Sequence, residues 1–127
     1  MNKTIIATNK APGAIGPYSQ GIQAGNVIFT SGQLPLNPAD GTMVNDDIKK
    51  AAAQALENVK AILAEAGANL SNVVKATVFL KDLADFAAVN EVYATYFTEN
   101  CPARSCIQVA KLPLDAPLEI EVIALKS

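Results

Sequence analysis

Pro102-Ala103-Arg104-Ser105-Cys106-Ile107-Gln108-Val109-Ala110 and the later stretch Leu118-Glu119-Ile120-Glu121-Val122-Ile123-Ala124-Leu125 decide how this chain folds. Both are short, carry β-branched residues and are bounded by Pro102, Pro113 and Pro117, which reads as two strands. The strand period of two puts Arg104, Cys106 and Gln108 on one face of the first, and Glu119 with Glu121 on one face of the second. If the strands pair, an arginine and two carboxylates converge on one surface of a sheet.

Working outward, residues 85–97 carry Phe86, Val89, Tyr93, Tyr96 and Phe97 at helical spacing, an aromatic stripe that reads as core. Before it, Val73-Val74-Lys75-Ala76-Thr77-Val78-Phe79-Leu80-Lys81 is a strand. Residues 46–66 form an amphipathic helix along Ile48, Ala52, Ala55, Leu56, Val59, Ile62 and Leu63. Asn45 or Asp46 serves as its N-cap, and Gly67 stops it. Ile22-Gln23-Ala24 and Val27-Ile28-Phe29-Thr30-Ser31-Gly32 make a hairpin across Gly25-Asn26, and a short strand is expected at residues 4–7. The loop at residues 11–21 is broken by prolines and glycines; its Tyr18 either faces a ligand as part of a lid or packs locally. Gly32, without a side chain, lets something approach its backbone.

The predicted order is β-β-β-α-β-α-β-β in one domain, residues 1–127. Right-handed crossovers place both helices on the same face of a partly parallel sheet. With Ala76, Val78, Ile107, Val109, Ile120 and Val122 facing the helices, the opposite face carries Thr77, Phe79, Arg104, Cys106, Glu119, Ile123 and Leu125. That face is too apolar to stay wet, so a second copy of the chain is expected to cover it, with Arg104 and Glu119 near the interface.

Composition narrows the chemistry. Half of the residues are apolar and 17% are charged, with a net charge of −2. No basic run provides an electrostatic footprint for nucleic acid. The start of the chain lacks the apolar core of a signal peptide, and no run approaches membrane-spanning length, so a cytoplasmic protein is expected. The two cysteines, Cys101 and Cys106, make no disulfide framework, and with no histidine there is no metal-ligand cluster. The missing histidine also removes Ser-His-Asp and Cys-His catalysis, leaving acid–base work to Glu, Asp, Tyr, Lys, Cys or a bound water.

Arg104 can grip a carboxylate with its planar fork, or simply pair with Glu119 or Glu121 to tie two strands together. In the functional alternative, Glu119, partly desolvated, deprotonates a water. Cys106 has no visible means of thiolate activation, so packing or a backbone contact fits it better than a nucleophile. Asn90 either caps a loop or lines a pocket.

Gly16-Pro17-Tyr18-Ser19-Gln20, Thr30-Ser31-Gly32-Gln33, Val78-Phe79-Leu80-Lys81-Asp82-Leu83 and Pro102-Ala103-Arg104-Ser105-Cys106 with Glu119-Ile120-Glu121 closely resemble the RidA/YjgF family across essentially the whole chain. The resemblance implies an α+β, chorismate-mutase-like fold: a mixed six-stranded sheet with two helices on one face, assembled as a homotrimer with clefts between subunits. It implies cofactor-independent hydrolysis of 2-imino acids such as 2-iminobutanoate and 2-iminopropanoate, released by pyridoxal-phosphate dehydratases, to 2-oxo acids and ammonia. By the same resemblance Arg104 holds the substrate carboxylate and Glu119 positions the water. The Gly32 carbonyl and Cys106 amide contact the ligand, and Tyr18, Ser31 and Asn90 complete the cleft, Tyr18 from a neighbouring subunit. Two rivals are a non-catalytic binder of small 2-oxo acids, and an endoribonuclease or translation inhibitor.

Overall fold

The computed structural model describes residues 2–126. Its elements run β1 (Lys3–Ile6), β2 (Gly21–Ala24), β3 (Val27–Thr30), α1 (Ile48–Glu65), β4 (Val73–Leu80), α2 (Phe86–Tyr96), β5 (Ala103–Gln108) and β6 (Leu118–Leu125). The strands form one six-stranded sheet in the order β1-β2-β3-β6-β4-β5. Only β4 and β5 pair in parallel, joined through α2; every other neighbouring pair is antiparallel. Since β3 and β4 both oppose β6, they run parallel to each other, as a crossover through α1 demands. The sequence-derived fold class, α+β with a mixed six-stranded sheet and two helices, is therefore correct.

α1 supplies the main stripe of the core. Ala51, Ala52, Ala55, Leu56, Val59, Ile62 and Leu63 are completely buried, against Ile28 of β3 and Ile120 and Ala124 of β6. Each fully buried Leu, Val or Ile side chain contributes roughly 1.5–3 kcal/mol. The cap falls one residue after Asp46 and two after Asn45, the two predicted positions. Asp47 is the N-cap, its carboxylate accepting from the amides of Lys49 (2.8 Å) and Lys50 (3.2 Å). It ends as predicted: Gly67, at φ +78°, turns the chain while the amides of Gly67 and Ala68 bond back to Ala64 and Leu63.

The face assignment holds for β4 and β6 and fails for β5. Ala76, Val78 and Leu80 of β4 and Ile120, Val122 and Ala124 of β6 are buried beneath the helices. Parallel register aligns Arg104 with Ala76 and Cys106 with Val78, so Arg104 and Cys106 also point to the helix side. Ile107, expected inside, is 47% exposed on the opposite face beside Phe79. The apolar parity of β5 is misleading because this is an edge strand: its helix-side position 104 lies beside α2, where a long cationic side chain can lie along the helix with its head in the open.

The open face carries exposed Ile5, Phe29, Ile107 and Leu125, continuous with Phe79 and Ile123. Among the described residues no helix is long and apolar enough to cross a membrane.

Candidate functional site

A break in the β3–β6 ladder builds the first half of the site. Phe29 pairs with Ile123, and the next pairing joins Gln33 to Ile120. Four steps along one strand thus face three along the other, so one extra residue bulges out. The Thr30 hydroxyl holds the near side by accepting from the Val122 amide at 3.0 Å. Reciprocal Gln33–Ile120 backbone bonds of 2.7 and 3.0 Å hold the far side. Ser31 and Gly32 lie between, and the Glu119 side chain lies against Gly32. A methyl group on Gly32 would sit 2.6 Å from the Glu119 carboxyl carbon, so no side chain fits there while Glu119 keeps its position.

Burial at this bulge, reinforced by the nearby Glu121 charge, raises the Glu119 carboxyl above its ordinary value of 4.5. A carboxylate lifted in this way is a stronger base for a water beside it. The cleft over Glu119 encloses about 450 Å³. Ser31, Gly32 and Tyr18 line it with Glu119, and Ile15, Leu34, Leu36 and Leu114 make its walls apolar. Leu114 is held with φ +57° and Asp115 with φ +53°, a conformation that costs a non-glycine residue of order 1 kcal/mol or more each. An ion pair from Lys81 to Asp115 (3.1 Å) ties this turn to the end of β4.

Two buried carboxamides pin the loops around the cleft. Gln20 donates to the carbonyls of Thr8, Ala11 and Pro12 and accepts from the Thr8 amide at 2.7 Å. Asn58 of α1 donates to the carbonyls of Leu34 (3.1 Å) and Leu36 (2.9 Å). The Ser31 hydroxyl donates to the Ser19 carbonyl at 2.6 Å, joining the Tyr18 loop to the bulge. Tyr18 is half exposed at the mouth of the cleft.

The second half lies on the other side of the sheet. Arg104 Nη1 donates to Asn90 Oδ1 at 2.8 Å, and the guanidinium carbon stands 4.7 Å from the Tyr93 ring centroid and 5.5 Å from that of Phe86. With Asn90, Tyr93, Phe97 and Cys101, Arg104 borders a recess of about 350 Å³. Among the described residues Arg104 has no ion-pair partner, so the strand-tying pair with Glu119 or Glu121 does not form. Cys106 is partly buried against the core, and burial pushes its thiol above the ordinary 9.0 in spite of Arg104, which suits packing and not nucleophilic attack. Among the described residues no group of three or more Cys, Asp or Glu side chains is placed to hold a metal ion.

Of the residues singled out in the sequence, the structure groups Tyr18, Ser31, Gly32 and Glu119 in one cleft and Asn90 with Arg104 in another. It does not bring Arg104 and Glu119 together, because they project from opposite faces. Tyr93 is buried in the core, as read from the sequence, and also meets Arg104; Phe86, read as core, is 38% exposed and meets Arg104 too. Leu114 carried no sequence signal at all.

A profile described as Endoribonuclease L-PSP matches residues 8–126. The chain is 54% identical to the 2-iminobutanoate/2-iminopropanoate deaminase of Escherichia coli K12, over 99% of each sequence. The chain belongs to the YjgF/RidA family. Within that family it is also 55% identical to a RutC family protein of Pyrococcus abyssi, again over 99% of each. Among solved structures, Escherichia coli TdcF with bound serine superposes with a TM-score of 0.94 at 51% identity, covering 98% of this chain and 99% of that one.

Proposed function

We propose that this YjgF/RidA member hydrolyses short 2-imino acids to 2-oxo acids and ammonia, in sites shared between copies of the chain. The observation that carries it is the division of the chemistry: a carboxylate made basic by burial on one face, and on the other face, from the edge strand, an arginine without a carboxylate partner among the described residues. Neither half suffices alone. The open apolar face around Glu119 and the exposed edge at β5 are the surfaces that a neighbouring copy would join, closing the cleft in a homotrimer.

In the joined cleft Arg104 of one copy grips the substrate carboxylate bidentately. Glu119 of the next orients a water and takes its proton as the water oxygen bonds to C2. The imine nitrogen, hydrogen-bonded to the Gly32 carbonyl, accepts the electron pair of the C=N bond and then a proton. Collapse of the resulting carbinolamine breaks the C–N bond, releases ammonia and leaves the 2-oxo acid, with the proton count balanced through Glu119. Ser31, Tyr18, Asn90 and the Cys106 amide complete the cleft, while the apolar walls take the substrate's alkyl group. Holding water and imine together supplies up to about 7–11 kcal/mol in the best cases. A positioned base adds roughly 10²–10⁴-fold. The deaminase name of a relative 54% identical over the full length supports the substrate class. A pyridoxal-phosphate dehydratase acting on threonine or serine would supply the imine.

Subunit complementation tests this. Arg104→Ala and Glu119→Gln proteins are each purified, mixed in equal amounts, unfolded and reassembled, then assayed for oxo-acid release behind threonine dehydratase. Random assembly makes half of the arginine positions and half of the glutamate positions intact, so about a quarter of shared sites should work. A mixture no more active than its components rules out a shared site, and full activity of Arg104→Ala alone rules out the anchor.

A further inference from the structure

Resting on the proposal that Arg104 grips a carboxylate, we propose that Phe86 and Tyr93 are positioning residues that preset the guanidinium plane. Phe86, Asn90 and Tyr93 are spaced four and three residues apart on α2, so they share one stripe of the helix. Arg104 comes across that stripe from β5. Its guanidinium carbon is 4.7 Å from the Tyr93 centroid and 5.5 Å from that of Phe86, both within the range of about 6 Å in which ring faces attract a cation. The hydrogen bond to Asn90 fixes rotation, leaving the other N–H donors for a ligand.

The clamp has a rigid backing. Tyr93 is 6% exposed and stacks against Phe97 with ring centroids 4.6 Å apart. The Tyr93 hydroxyl, buried and without a hydrogen-bond partner among the described residues, gives Arg104 no hydrogen bond, so the ring face is what the guanidinium meets. Phe86 keeps 38% of its surface exposed, so its ring is not wholly taken up by the core and has surface free to meet the guanidinium. An unrestrained arginine would lose its rotamer freedom on gripping an anion. Here that ordering is completed during folding, which is preorganisation.

The test compares Phe86→Leu, which keeps apolar bulk and loses the π face, with Phe86→Tyr, which restores the face. Binding of 2-oxobutanoate is measured by calorimetry, turnover by the coupled assay, and the Arg104 Nε–H resonance by NMR without ligand. The expected result for Phe86→Leu is a rise in Kd and KM on the order of 3- to 30-fold, with kcat within about twofold. The Nε–H resonance should move downfield as ring shielding is lost, and Phe86→Tyr should behave as wild type in every measurement. Tyr93→Phe, which keeps its face, should also bind normally. An unshifted Nε–H resonance with unchanged Kd in Phe86→Leu overturns the clamp. So does a uniform fall in kcat and melting temperature that Phe86→Tyr fails to restore. An Arg104→Ala control that still binds 2-oxobutanoate sinks the anchoring role instead, and the ligand-free resonance then judges the clamp by itself.

Discussion

Gly32→Ala should disable the proposed hydrolysis while leaving the fold nearly intact. The backbone at Gly32 is not in the left-handed region, so alanine meets no conformational penalty there. The difficulty is space: the added methyl would lie 2.6 Å from Glu119 Cδ and 2.9 Å from Cγ. Ordinary carbon contacts begin near 3.5–4.0 Å, so the carboxyl must retreat by about 1 Å. It is the free end of a flexible side chain, which keeps the stability loss near the lower end of the roughly 1–3 kcal/mol seen for overpacking. For a group that must aim a water, about 1 Å of misplacement can cost on the order of 10² in rate. The coupled dehydratase assay should therefore show kcat down about 100-fold, with the Kd for 2-oxobutanoate changed little and the melting temperature down by only a few degrees. Repeating the substitution in a Glu119→Gln background isolates the cause, since the two changes act on one group and must not add. Wild-type kcat in Gly32→Ala, or the same fold-loss in the Glu119→Gln background, would refute the reasoning.

Burial and Glu121 together raise the Glu119 carboxyl, so the acid limb of the rate profile should lie above pH 4.5, and Glu121→Gln should move it to lower pH; a pH titration of kcat/KM checks this. The stability consequence has the opposite sense to an ion-paired acid. The folded chain holds this proton to higher pH than the unfolded one, so stability falls as pH rises from the ordinary value through the raised one, and Glu119→Gln should flatten that fall in urea titrations at successive pH values. Tyr93→Phe removes a buried hydroxyl that has no partner among the described residues and should be neutral or stabilising by about 1 kcal/mol in denaturant unfolding; a loss above that size would mean that the hydroxyl has a partner in the assembled protein. Ile107→Glu puts a charge on the exposed apolar face and should shift sedimentation towards monomer with loss of activity, whereas an unchanged assembly would remove that face from the interface.

Much of this was legible from periodicity alone. The stripe from Ile48 to Leu63 and the alternation of β4 and β6 each commit to one buried face, so helix, strands and inward residues could be read directly. β5 could not be read that way. In an edge strand, parity no longer separates core from solvent: Ile107 is exposed, while Arg104 lies on the helix side against two aromatic rings. The bulge at Ser31 and Gly32 was hinted at by a glycine ending an apolar run, but the residue it admits, Glu119, lies 87 positions away (119 minus 32) and is fixed only by register. Phe86 and Tyr93 were hidden because one helical stripe serves both the core and the arginine.

A β-sheet is a wall. Arg104 and Glu119 stand on opposite sides of it, and no rotation of either side chain passes through the backbone between them. If both act on one substrate, then folding a chain makes no active site, and the number of sites follows the law of mass action for association. Activity per chain would then vary with total concentration, so that total activity falls on dilution faster than linearly, and a freshly folded copy would stay inert until it met others.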